Sequence, residues 1–501
     1  MAHMNRLWLA LGLLSLMAAA GCGAGSGITF PPTTGNFSAA NLNGQYVYEI
    51  HGQSAVTGKP YREYGVFIAD GAGHITSGTD DFASTTTGGV QSNAVTGSYQ
   101  VFSDGTGFIS IGPTSLSNSA NVGQVTFAIT MISTASPTTK IDLMEDDFFA
   151  SGAGVSELQD PTTLTTAPSG TYVFQLHQSA SAQAAKSASQ VGAVTVSNGT
   201  FTGNMDQNLG GTTTSPSISN GSFNAPVGGR GTGSFVDSVS NTTTSFNYYV
   251  VNASKFVLLV SNSGAVGSGS AELQSGAVAN GLSGNYAFGS RGDDLVGGVI
   301  DGVATVGQFS AASGAIAGTA DSMVSGGYSP GLTIASCFTA AASGRVTVDN
   351  CSGAVSQYFW MVNPSRAFFV NVNGSATEDG SADLQSAATF SNSSLSGQYA
   401  LVMDGSDITF LQPANLARVG ILQFRSGGSL ALTELANDLN SGPSNGQGLT
   451  GTYQISGNGL IQANFGNSTL DFVGYAVSGS KAYMLQIDSG LTTSGTAELQ
   501  Q

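Results

Sequence analysis

The chain has 501 residues, 70 of them glycine, and only 9% are Asp, Glu, Lys or Arg; ordinary proteins carry roughly 7% glycine and about 25% charged residues. This excludes a mainly helical protein, whose exposed faces need charged and straight-chain side chains, and 41% hydrophobic residues in short alternating runs exclude disorder. A net charge of −17 without any concentration of Lys or Arg excludes the phosphate-neutralising surface that nucleic acids or anionic headgroups require.

Residues 1–22 read MAHMNRLWLALGLLSLMAAAGC. Arg6 supplies a positive start, Leu7 to Met17 a short apolar core, and Ala18 to Gly21 a small-residue run. The core is too short to span a bilayer, so 1–21 reads as a signal peptide. The small-small-Cys ending resembles the bacterial lipobox, with Ala19 where Leu is usual. The resemblance implies cleavage before Cys22, acylation of Cys22, and membrane anchoring through the N-terminal lipid. Gly23 in place of Asp is similar to outer-membrane sorting, which implies an outer-membrane or cell-surface address; without acylation the chain is secreted. The Gly-, Pro- and Thr-rich stretch to residue 40 reads as a flexible tether over 22–40.

From there the chain repeats. LNGQY, PSGTY, LSGNY and LSGQY open four units at Gly44, Gly170, Gly284 and Gly397. VSELQ, SAELQ, SADLQ and TAELQ close them at Gln159, Gln274, Gln385 and Gln500. The units are 41–159, 168–274, 282–385 and 395–501, each of normal domain size. The first contains about eight short strands, at 45–51, 62–69, 74–80, 95–102, 107–112, 123–131, 140–146 and 152–159. ADGAGH and SDGTGF lie between them as tight turns whose glycines take positive φ. Eight sequential antiparallel strands predict an all-β, up-and-down barrel, calycin-like, in preference to a sandwich, because closure removes both edges. Tyr46, Tyr48 and Ile50 alternate with Val47, Glu49 and His51, which turns the tyrosine face inward. Late runs such as FVLLV are apolar on both faces, so a neighbouring unit or a second sheet covers them. Gly-x-Tyr distantly resembles the Gly-x-Trp of lipocalins. Tandem LxGxY…SGxxELQ units behind a lipobox resemble secreted lipoproteins abundant in acidobacteria, a class that implies the address and the fold rather than an activity.

Few residues carry chemistry. Cys337 and Cys351 flank a hairpin and suit a disulfide in an oxidising compartment; zinc is excluded because the histidines, at 3, 51, 74 and 177, lie elsewhere. GYSPG at 327–331 has the hydrolase-elbow spacing but neither a following helix nor a downstream histidine. The acidic residues of the first unit, Asp70 to Asp147, match no calcium-loop pattern. Arg291-Gly292-Asp293 spells the tripeptide read by integrin-type receptors, but one such match in a glycine-rich chain counts for little. Two repeat-equivalent sets remain as candidate ligand-binding positions. One is Lys140, Lys255, Arg366 and Lys481, each between a turn and a late strand. The other is His51, His177, Arg291 and Asp404, on the first strand of each unit. No catalytic residues, metal or cofactor are expected. The expected role is a lipid-anchored exported binding, adhesion or structural module whose partner is an extracellular polysaccharide, a protein or a small apolar ligand. The alternatives are a lipocalin-like carrier with ligand in the barrel mouths, and an envelope or polysaccharide hydrolase.

Overall fold

The computed structural model describes residues 35–113, 124–179, 187–296, 299–372, 374, 376–409, 413–425, 427–444, 447–466 and 470–501. The stretch read as a signal peptide, Cys22 and most of the stretch read as a tether lie outside the described residues. Each unit is a closed antiparallel barrel of eight principal strands. In the first, β1 to β8 are Asn43–Ser54, Pro60–Asp70, His74–Ser84, Gln91–Val101, Thr106–Pro113, Val125–Met131, Lys140–Glu145 and Ala150–Leu158, and β1 pairs with both β2 and β8. The second runs from β9 (Gly170–Ser179) to β17 (Val266–Leu273), the third from β18 (Gly284–Val296) to β25 (Thr377–Leu384), and the fourth from β26 (Gly397–Asp407) to β34 (Leu491–Leu499). The second and fourth each append one short strand, Thr212–Thr214 and Gly442–Pro443.

The repeated residues build this barrel. The opening glycines have φ of +123°, +113°, +105° and +116°, a region costly for any residue with a Cβ. The tyrosine two residues later is buried, and its hydroxyl donates to the turn before the seventh strand. Tyr46 reaches Thr138 O (2.9 Å), Tyr172 Ala253 O (2.8 Å), Tyr286 Pro364 O (2.7 Å) and Tyr399 Gly479 O (2.5 Å). Around them the interiors are occupied by the barrels' own rings, as in Tyr46–Phe67, Phe201–Phe223, Phe359–Phe369 and Tyr399–Phe424. The remaining interior positions hold internal polar pairs such as Tyr48–Asp80 and Arg418–Glu434. A carrier with ligand in each barrel mouth needs an open apolar interior, and these interiors are packed with protein.

The four barrels close into a ring. Apolar residues on the outside of one barrel are buried against the next: Val47 and Tyr64 on Tyr249, Val257 and Leu259; Val173 and Val191 on Trp360 and Phe368; Ala304 and Val306 on Tyr475 and Leu485; and Val419 and Leu435 of the fourth on Ala128 and Met144 of the first. This is why the FVLLV-type strands are apolar on both faces. Each buried Val, Leu or Phe contributes about 1.5–3 kcal/mol, so the four junctions hold the barrels together.

The basic residue of each seventh strand belongs to this ring. Lys255 pairs with Glu157 of the preceding ELQ, Arg366 with Glu272 (2.9 Å), Lys481 with Asp383 (2.7 Å), and Lys140 with Glu498 (2.6 Å). These four candidate cations are thus each engaged in an ion pair between barrels. The closing glutamines do the same with backbone. Gln159, Gln274, Gln385 and Gln500 donate through Nε2 to Val250 O, Met361 O, Ala476 O and Met131 O of the next barrel. The following residue adds a main-chain bond, and at the last junction Gln501 N donates to Ile132 O (2.9 Å) and Gln501 O accepts from Thr134 N (2.6 Å). The fourth barrel thus grips the first as the covalently linked neighbours grip each other.

Eight is an even number, so every barrel begins and ends at the same rim. All three linkers, residues 35–42 and Gln501 consequently share one face of the ring, the entry face; the β1–β2 and β7–β8 loops and their counterparts form the opposite, loop face. On the third barrel's loop-face side, Cys337 and Cys351 are joined by a disulfide. Replacing both with serine lowers unfolding free energy by about 3 kcal/mol, the value for a loop of this length, measurable by urea titration and reproduced by reducing the parent protein.

Candidate functional site: the axial cavity

Where the four first strands meet, the ring encloses a cavity of about 1030 Å³ lined by all four barrels and reaching the loop face at Ala55, Lys59, Leu439 and Asn440. Alternation places residues 47, 49, 51 and 53 of β1 on the outside of the barrel. Position 47 is used in the interface, and positions 49 to 53 and their equivalents reach the axis, except Val402, the counterpart of Glu49, which is buried against the first barrel. His51, His177, Arg291 and Asp404, equivalent by repeat, all line this one cavity.

They interact across the axis. Arg291, whose side chain is 48% exposed, pairs with Asp404, which holds its guanidinium above the ordinary range. Arg291 Nη2 also donates to His51 Nδ1 (2.6 Å). An imidazole nitrogen that accepts carries no proton, so His51 is the neutral Nε2–H tautomer. Nε2–H then donates to Tyr64 Oη (3.0 Å) or Ser268 Oγ (3.1 Å), and Tyr64 Oη donates to Glu49 Oε2 (2.9 Å). Burial, reinforced by Arg62 and Arg291, pushes His51 well below its usual value, in agreement with that tautomer. Burial also raises Glu49, opposed by Lys255.

His177 has the opposite surroundings. Its Nδ1 lies 2.9 Å from Asp379 Oδ1 and its Nε2 3.6 Å from Asp293 Oδ2. Burial disfavours the charge, but the hydrogen bonds to Asp293 and Asp379 outweigh it and lift the imidazole to about 9. Two histidines at equivalent positions are thus held in opposite protonation states by their neighbours.

Sequence inspection missed Arg62, Glu49, Tyr64, Asp293 and Asp379. The β1–β2 ladder sets His51 opposite Arg62, so hairpin register is the signal that finds Arg62; Asp379 meets His177 only through the packing of the second and third barrels. Other candidates disperse. Arg291 and Asp293 of the Arg-Gly-Asp tripeptide face the cavity, and Ser329 of GYSPG sits within β21 (Gly327–Ala340), a strand and not an elbow. Asp80 is inside the first barrel with Tyr48, whereas Asp81, one residue on, is outside it against Arg230. Among the described residues no group of three His, Cys, Asp or Glu side chains could hold a metal ion, and no helix is long and apolar enough to cross a membrane.

No family model and no curated protein matches the chain. Among solved structures, isotype 1 transferrin binding protein B from serogroup B Neisseria meningitidis aligns over 78% of this chain and 83% of its own at 10% identity, with a TM-score of 0.20. That superposition is too loose to carry a fold or functional assignment.

Proposed function

We propose that this chain is a lipid-anchored, exported binding module and not an enzyme, displayed at the outer membrane or cell surface with the axial cavity as its ligand site. One observation carries the reading: the recurring glycine, tyrosine, glutamine and charged residues build the ring, while four equivalent positions whose residues differ in charge meet at the axis. Glycine, tyrosine, glutamine, and the basic and acidic residues of the junctions are the same or conservatively exchanged in all four units. The axial set is His, His, Arg and Asp. A purely structural ring needs no such asymmetry; a site for one asymmetric polar molecule does. Orientation supports the same reading. An N-terminal lipid tethers the entry face, so the loop face and the cavity mouth look away from the membrane. Beside that mouth Val56, Phe148 and Phe149 are 78%, 69% and 71% exposed, and Ala55 N bonds Phe149 O at 2.8 Å.

The test is display. An epitope inserted at 85–90, a loop-face hairpin, is stained by antibody on intact cells, and Cys22→Ser releases the stained protein to the medium. Staining only after permeabilisation defeats the reading. A hydrolase has one observation in its favour, a raised Glu49 and a lowered Asp293 in one cavity. Both carboxylates are engaged, however, Glu49 by Tyr64 and Asp293 by His177 and Ser187.

A further inference from the structure

Arg62 stands apart from the other buried cations. It is 8% exposed and lines the cavity. Its Nε donates to Ser268 Oγ (3.1 Å), Nη1 to Tyr61 O (2.9 Å) and Nη2 to Ser179 Oγ (3.2 Å). All three acceptors are uncharged, and they take three of the five N–H groups of a guanidinium. Arg230, Arg345, Arg366 and Arg418, by contrast, each meet a carboxylate, at 2.6, 2.6, 2.9 and 2.7 Å. Asp293 and Asp404 act on Arg62 only at longer range, and Arg291 repels it. A buried charge is normally paired, because desolvation without a counter-ion is costly. Here the charge is held ready by neutral oxygens, with donors to spare, beside open space.

The second cation is close by. Arg62 and Arg291 flank His51, one through Ser268 and the other directly. His51, neutral and already donating and accepting, neutralises neither; Asp404 pairs with Arg291 but not with Arg62. The rest of the lining limits what anion can enter. Glu49, Asp293, Asp379 and Asp404 share the cavity, so a compact anion with two or more charges at one point, such as phosphate, is repelled, while the same carboxylates accept from hydroxyls and Ser179, Ser406, Asn415 and Gln53 accept from and donate to them.

We propose that the axial cavity takes one carboxylate of a hydroxyl-rich molecule, a sugar acid in chemical class, with that carboxylate held by Arg62 and Arg291 beside His51. The proposal rests on the reading of the cavity as a binding site and names what it binds. Its volume, about 1030 Å³, lies at the upper end of ligand pockets and admits either a free sugar acid or a short stretch of a uronate polymer.

The experiment uses the full exported chain at low salt, with galacturonate, its trimer and the neutral maltotriose as probes, read by thermal shift and titration calorimetry. The trimer or the monomer raises Tm and maltotriose does not; equal affinity for both acids assigns the free acid, and preference for the trimer assigns the polymer. Arg62→Leu folds with a Tm equal to or above the parent, since an unpaired charge has gone, and binds the acid about tenfold or more weakly. Arg291→Gln, a half-exposed position, weakens binding likewise and carries the test should Arg62→Leu fail to fold. Maltotriose binding as well as the acids, unaffected by either substitution, overturns the carboxylate assignment and leaves the binding site standing. No shift with any probe overturns the sugar-acid assignment whatever the Tm of Arg62→Leu, and a lower Tm in that variant makes Arg62 structural; the display experiment above decides the binding-module reading separately.

Discussion

Asp206→Ala lowers the stability of the ring by about 3–5 kcal/mol and moves the emission of Trp360 to the red. Asp206 is fully buried between the second and third barrels. Its carboxylate accepts from Arg345 Nε (2.7 Å) and Nη2 (2.6 Å), Trp360 Nε1 (2.8 Å) and Ser215 Oγ (2.6 Å). Removing it leaves a half-buried guanidinium and a buried indole N–H without their acceptor, a larger loss than the pair itself is worth. The ring also shows how to compensate. At the equivalent position of the fourth barrel the ladder places Leu435 opposite Val419, as it places Asp206 opposite Val191, and that junction is apolar. Asp206→Leu combined with Arg345→Leu therefore recovers most of the stability that Asp206→Ala loses. Chemical denaturation of the single and double variants, followed at Trp360, measures the coupling; equal losses in both would show that the carboxylate does not organise the junction.

The second large effect is a stability that declines in mild alkali and is traceable to His177. A folded-state value of about 9 against an ordinary value near 6.5 means that folding favours the imidazolium. The contribution is fully present below about pH 6.5 and is lost as pH rises through 9. Linkage puts it at about 3 kcal/mol, and the side chain is only 20% exposed, so solvent screens little of it. Unfolding free energy measured from pH 6 to 10 should fall across this window in the parent and stay flatter in His177→Gln. Imidazole NMR separates the two axial histidines: His177 titrates near 9, while His51, accepting from Arg291, stays neutral at pH 6. A His177 resonance titrating near 6.5 would remove the ion triad from the account.

All eight strands of the first barrel were legible, with ends displaced by up to four residues, and the reason is local. Period-two alternation around Tyr46, Tyr48 and Ile50 marks the inward face, and glycine-bearing turns that need positive φ mark the reversals. The predicted strand at 140–146 and the observed Lys140–Glu145 differ by one residue. The count of eight was enough to favour closure. The cysteine pair was legible because it brackets a hairpin.

The axial residues were legible as a set but not as a site. That His51, His177, Arg291 and Asp404 are equivalent follows from the repeat; that they meet does not. On an isolated barrel they are polar residues on an outer face, and varying polar residues there most simply meet water. The junction cations illustrate the same limit. Their recurrence was visible, yet whether Lys255 faced a ligand, solvent or Glu157 depended on which surface of the first barrel lay opposite.

Short-range pattern therefore decided the module, its turns and its copy number, because alternation and turn geometry act within a few residues of chain. Ring closure, the pairing of each ELQ with the next barrel, and the convergence of four unlike side chains around Arg62 and His51 were decided by packing between units. Those contacts join residues such as His51 and Arg291, distant in sequence, through apolar surfaces whose partners no local pattern specifies.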